Sequence, residues 1–170
     1  MTTLRTHQPD DVPELIALAI RAWAGVEDSV DAALGSPLDR LATPSWAAHH
    51  EAVVRDACHS TGSSVIVAED DDGQLNGFVA FTVHPETPGM SEYGEITVLA
   101  VDPSARRSGL GRRLLDHAVD ELRAAGAPVI MVSTGGDTGH APARELYERA
   151  GFQMLPIAQY WLAGDTSRNT

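Results

Sequence analysis

The chain has 170 residues, 43% of them hydrophobic and 21% charged, which suits one folded domain over 1–170 and excludes a disordered chain. Its formal net charge of -12 argues against a nucleic-acid or anionic-membrane surface; no apolar run nears the ~18 residues of a membrane span, and the start Met1-Thr2-Thr3-Leu4-Arg5 has no signal-peptide core. A lone Cys58 excludes an internal disulfide framework and suits a reducing compartment, so the cytosol is the expected location.

Leu4-Arg5-Thr6 reads as a short first strand. Pro9-Asp10-Asp11 offers capping chemistry, and Val12, Leu15, Ile16, Ala19, Ile20 and Trp23 recur at helical spacing, predicting an amphipathic helix over about 10–24. Residues 25–44 hold Gly25, Gly35, Pro37 and Pro44 and read as irregular; a second helix follows over about 45–59, with Trp46, Val53 and Val54 inward. Residues 64–69 and 75–83 are strands joined through Asp70-Asp71-Asp72-Gly73, a hairpin turn whose glycine suits a positive φ. His84 to Gly89 is a loop, and Glu92 to Val101 is a third long strand ended at Asp102-Pro103, because proline has no N–H to donate. A polar loop over 104–109 leads to a helix over about 109–125, with Leu110, Leu114, Leu115, Ala118, Val119 and Leu122 on one face and Gly126 as its cap. The apolar run Val129 to Ser133 reads as a central strand. A glycine-rich loop over 134–139 precedes a helix over 141–150 that Gly151 ends; 152–153 and 159–162 read as the last two strands, and the tail from Gly164 is expected to fray. Hairpins followed by strand–helix units imply a mixed α/β sheet.

All twelve basic residues are arginine, and four of them, Arg106, Arg107, Arg112 and Arg113, crowd one short stretch of an acidic chain. In Glu95 to Arg113, EITVLAVDPSARRSGLGRR, a strand ends in a loop that delivers Arg106-Arg107-Ser108-Gly109-Leu110-Gly111 to the start of a helix. Helix N-termini carry unpaired N–H groups and the positive end of the macrodipole, so they attract anions. Gly109 and Gly111 let a backbone approach a bulky diphosphate, and arginines add directional donors. These residues point to a phosphate-bearing ligand; a glycine-containing helix start with a solvated basic face is the plainer alternative. The spacing is neither GxGxxG directly after a strand nor GxxxxGK[ST], and the chain has no lysine. Asp70, Asp71 and Asp72 lack the spacing of a calcium loop, and His49-His50 and Cys58-His59 lack a second ligand pair, so no metal is expected.

Leu99-Ala100-Val101-Asp102-Pro103, then Arg106-x-x-Gly109-x-Gly111 and a long amphipathic helix, resembles the acetyl-CoA motif of the GNAT superfamily of N-acetyltransferases. Ala143 to Phe152, ARELYERAGF, resembles the family's second signature, a helix-to-strand segment, in the right order and at the right separation. The resemblance implies a single α/β (α+β) domain: a mixed, mostly antiparallel sheet of about six or seven strands, flanked by about four helices, with a bulged strand that splays from its neighbour into a V-shaped cleft. It implies acetyl-CoA as co-substrate, its pantetheine arm bonded by the main chain of Leu99, Ala100 and Val101 and its pyrophosphate held by the loop of Arg106, Arg107, Ser108, Gly109, Leu110, Gly111 and Arg112. It implies Glu95 as base and Tyr147 as the acid that protonates the departing thiolate; a solvent-facing strand Glu and a packing Tyr are the alternatives. His140 stands where the family often has an Asn that bonds the pantetheine arm, so it could replace that contact, act in acid/base chemistry, or be a plain loop histidine. The implied acceptor is the primary amine of a small molecule, with Trp23 and Trp46 flanking its side or serving as core; a protein acceptor or a non-catalytic acyl-CoA module are the competing readings. The family often forms homodimers, although no feature of this chain demands one.

Overall fold

The computed structural model describes residues 2–164; the tail expected to fray from Gly164 lies, past that residue, outside the described residues. The elements run β1 (Thr3–Thr6), α1 (Val12–Leu34), α2 (Ser36–Ala42), α3 (Trp46–His59), β2 (Ser63–Glu69), β3 (Leu75–His84), β4 (Tyr93–Val101), α4 (Leu110–Ala124), β5 (Ile130–Val132) and α5 (Ala141–Arg149). Among the described residues the strands form one sheet in the order β1-β2-β3-β4-β5. Every neighbouring pair is antiparallel except β4 and β5, which run parallel. No helix is long and apolar enough to cross a membrane among the described residues.

Alternation along the strands gives the sheet two apolar faces. Val65, Val67, Phe78, Ala80, Val98 and Ala100 meet Leu15, Leu18 and Ala22 of α1 and Val54 and Ala57 of α3. Ile66, Val79, Phe81 and Ile96 meet Leu110, Leu114, Leu115, Ala118 and Leu122 of α4 on the other side. The result is a helix–sheet–helix sandwich, with Phe78 and Leu114 fully buried on opposite faces. The Asp70 turn is a backbone cap: its Oδ1 accepts from the amides of Asp72 and Gln74, and Gly73 takes φ 81°.

Four expectations are corrected. α1 continues through Gly25 to Leu34: one mid-helix glycine costs only about 1 kcal/mol against Ala, and the stop lies at Gly35, with φ 80°. The segment read as irregular also holds α2, with Pro37 in the first turn, where its missing N–H costs nothing. β5 is an edge strand and not a central one, and its apolar run does not signal burial: Val129 is 61% exposed and Met131 40%. The strands expected at 152–153 and 159–162 do not form; Leu155, Ile157, Tyr160 and Leu162 stay exposed, so no apolar burial holds residues 155–162 to the sheet. Among the described residues, five strands and five α-helices therefore stand where about six or seven and about four were expected.

Candidate active site

The sheet opens at β4. Ala80 of β3 faces Val98 while Phe81 faces Ile96, so Thr97 is an extra residue in β4. Its hydroxyl donates to the Ala80 carbonyl at 3.2 Å, which pins the bulge. On the other edge, β5 pairs with Gly94, Glu95 and Ile96 and stops there. Thr97 to Val101 thus have no strand on that side among the described residues. The Asp102 amide donates to the Asn76 carbonyl at 2.9 Å, just beyond β3's pairing edge. Alternation turns the amides of Leu99 and Val101 the opposite way, into the gap. Ala100 faces β3, its carbonyl 2.9 Å from where a Cβ on Gly77 would stand, so its main chain is committed to the sheet.

Beyond the gap comes the arginine loop. Asp102 accepts from the Ser104 amide at 3.0 Å and the Ser104 hydroxyl at 2.7 Å, and pairs with Arg21 of α1 at 2.8 Å. Burial pushes the Asp102 carboxyl up, but the Ser104 and Arg21 hydrogen bonds outweigh it and hold the group below the usual carboxylate range. Arg107 takes φ 61°, the one positive-φ position outside glycine among the described residues, and Gly109 takes φ 84° at the N-cap of α4. A side chain held in that region costs about 1–3 kcal/mol and persists where the surroundings impose it. The Arg113 amide is the first to bond back into the helix, to the Gly109 carbonyl, which leaves the Gly111 and Arg112 amides without intrahelical partners.

The four guanidinium groups do different things. Arg106 donates to the Ala22 carbonyl of α1, Arg113 to the Thr2 carbonyl, and Arg112 to Asp116 and the Arg149 carbonyl. Among the described residues no protein group bonds the Arg107 guanidinium, which leaves it available to an anion. A side chain on Gly111 would touch Val101 and Leu146, each at 3.6 Å, so the first turn of α4, the tip of β4 and α5 converge at the open end of the sheet.

Ile96 joins the α4 face and Gly94 lies against Leu122, so Glu95 between them projects to the α1 and α3 side. Its Oε2 lies 2.7 Å from Nε2 of His84, whose ring stacks on Tyr93 at 4.5 Å and 19°. Tyr147 sits on α5 and packs against the α4 side, its ring 6.0 Å from Phe152. Burial pushes its phenol up to about 12. The two acid/base candidates therefore flank the sheet on opposite faces, with the gap between them. His140 caps α5, and its Nδ1 lies 2.5 Å from Asp137 Oδ2. Its loop docks on α1: the Gly139 amide donates to the Ser29 hydroxyl at 2.8 Å, and a Cβ on Gly139 would stand 2.7 Å from Ser29 Cβ. Burial raises the Asp137 carboxyl, yet hydrogen bonds from Ser29 and His140 leave it net depressed.

Sequence reading missed His84, Tyr93, Asp102, Arg21, Asp137 and Ser29. The one available signal was parity: His84 and Thr82 share a face of a strand that returns beside Glu95. The arrangement offers an edge of free strand amides leading to free helix amides and an unpaired arginine. It suits an extended, amide-bearing chain that ends in phosphate.

A mixed sheet that parts after a bulge, its open edge running into an anion-ready helix start, defines the class: an α/β domain with a slot in its sheet. The acetyltransferase (GNAT) family model matches residues 32–152, and the chain belongs to that family. A mycothiol acetyltransferase of Beutenbergia cavernae is 42% identical over 96 residues, 56% of this chain and 30% of that protein. Another, of Rhodococcus opacus, is 30% identical over 153 residues, 85% of this chain and 50% of that protein. The chain spans half or less of the length of these relatives. A GNAT-family structure from Desulfovibrio desulfuricans shares the fold, with a TM-score of 0.68 at 25% identity over 92% of this chain and 87% of that one.

Proposed function

We propose that this chain is an N-acetyltransferase that moves an acetyl group from acetyl-CoA to the primary amine of a small molecule, by direct attack within a ternary complex. The observation that carries the reading is the parting of β4 from β5 at Thr97, which turns the Leu99 and Val101 amides into an open slot aimed at α4. Those two amides would bond the pantetheine arm, and a strand amide aimed at the thioester oxygen would stabilise the charge that builds there. The amides of Gly111 and Arg112, with the Arg107 side chain, fit the pyrophosphate. When bound, acetyl-CoA supplies the activated acyl group; the protein supplies orientation, a base and an acid. Glu95 and the imidazole bonded to it serve the base step, and the Tyr147 hydroxyl serves the acid step. His140, already held by Asp137, offers its remaining ring nitrogen to the arm in place of the family's usual Asn.

The relatives are called mycothiol acetyltransferases, a name built on a small thiol, which supports a small-molecule acceptor over a protein one. The test is thiol release from acetyl-CoA across polyamines, amino acids, aminoglycosides, aryl amines and short peptides, with acetyl-CoA binding followed by calorimetry. Release with one amine class is the expected result. Acetyl-CoA binding without release for any class would favour the regulatory-module reading, and absence of binding would overturn both.

A further inference from the structure

The base step has two partners within hydrogen-bond distance of each other, and chemistry decides their roles. A carboxylate only accepts, so the 2.7 Å contact requires a proton on Nε2 of His84. In the neutral imidazole this leaves Nδ1 with a lone pair and no proton. Glu95 thus fixes the tautomer of His84, while Tyr93, stacked on the ring face, fixes its plane without covering its edge. The His84 side chain is 38% exposed and that of Glu95 25%, so the imidazole is the more open member of the pair.

We propose, resting on the transferase reading above, that Nδ1 of His84 is the atom that takes the proton from the acceptor ammonium, and that Glu95 is its positioning and charge partner. The step balances: the ammonium N–H bond breaks, its electron pair becomes the nucleophilic lone pair, and a new N–H bond forms at Nδ1. The resulting imidazolium is stabilised by the Glu95 carboxylate and returns its proton to solvent. As a class, imidazole binds a proton about 100-fold more tightly than a carboxylate, so it is the better match to an alkylammonium donor near neutral pH. The charged group bonded to His84 among the described residues is Glu95; Tyr93 is the other titratable side chain against it, and Met131, paired with Glu95 on β5, is neutral.

Two measurements test the proposal. The first needs no substrate: the ring nitrogens of His84 are followed by nitrogen NMR across pH, in the wild type and in Glu95→Gln. The proposal expects the Nε2–H tautomer in the wild type and a shift toward the Nδ1–H tautomer in Glu95→Gln. An Nδ1–H tautomer in the wild type, or no change on losing the carboxylate, would overturn it. The second is the kcat–pH profile with the fastest amine from the acceptor panel. His84→Gln should lose about 100-fold or more and its acid limb, with acetyl-CoA binding kept, and added imidazole should restore part of the rate to His84→Ala. A His84→Gln rate within threefold of wild type, with the acid limb intact, would return the base role to Glu95 alone. Wild-type protein that binds acetyl-CoA but turns over no amine would sink the transferase reading and this role with it, while the NMR result would still show whether the pair exists.

Discussion

Replacing Tyr147 by Phe removes one hydroxyl and keeps the ring against Phe152 and the α4 face. Burial holds the phenol near 12. A thiol leaving group of ordinary acidity lies about 3.5 units lower, so full proton transfer from Tyr147 would be uphill by about 5 kcal/mol. In the proposed reaction the hydroxyl would therefore act as a hydrogen-bond donor to the developing thiolate, a charge-assisted bond of about 1.5–3 kcal/mol. Tyr147→Phe should lower kcat about 10- to 150-fold, measured by thiol release at pH 7, with acetyl-CoA affinity within about twofold. The shift also predicts a stability effect of definite sign. The phenol's folded pKa lies above its unfolded value of 10.0, so its contribution is present in full below about pH 10 and is lost as pH rises toward 12. By pH 11 the wild type should have lost about 1.4 kcal/mol more than Tyr147→Phe, read from urea midpoints. An unchanged kcat would remove Tyr147 from the reaction, and parallel stability curves above pH 10 would show that its hydroxyl is not desolvated.

Arg107→Gly removes the free guanidinium while easing the positive φ, so CoA binding should weaken about tenfold or more by calorimetry, a pantetheine fragment should bind as before, and stability should hold or rise by up to about 1 kcal/mol. Arg112→Ala should cost CoA less than Arg107→Gly, because Asp116 and the Arg149 carbonyl already occupy its donors; the reverse order would refute this division of roles. Gly94→Ala places a Cβ 3.2 Å from Leu122 Cβ and 2.9 Å from its Cδ2, so α4 must move off β4. A loss of about 1–3 kcal/mol in thermal or urea unfolding is expected, and a neutral result would mean that the contact yields freely.

What could be read from the sequence was local. The turn at Asp70, the proline stop after Val101 and the one-faced leucines of α4 each depend on neighbours a few residues away, and each element formed within a residue or two of its expected bounds. The glycine and arginine loop was legible for the same reason, although not which of its arginines would be free. Gly25 misled because an isolated glycine signals a stop only when the helix formers around it do not outweigh it. The run at Val129 misled because apolar content cannot distinguish a strand with two neighbours from one with a bare edge. The bulge at Thr97 and the His84–Glu95 contact are properties of pairing register, which no single segment encodes.

One helix touches both ends of the proposed ligand track. At Arg21 and Ala22, α1 holds the loop before α4 through Asp102 and Arg106; at Ser29, about 12 Å further along the helix axis, it holds the loop before α5 through Gly139. The two loops have no chain continuity, yet each takes its position from the same rod. A substitution that slides or rotates α1 would displace both grips together. The phosphate end and the arm end therefore cannot drift apart in evolution by separate small steps; a change that refits one must be tolerated, or answered, at the other.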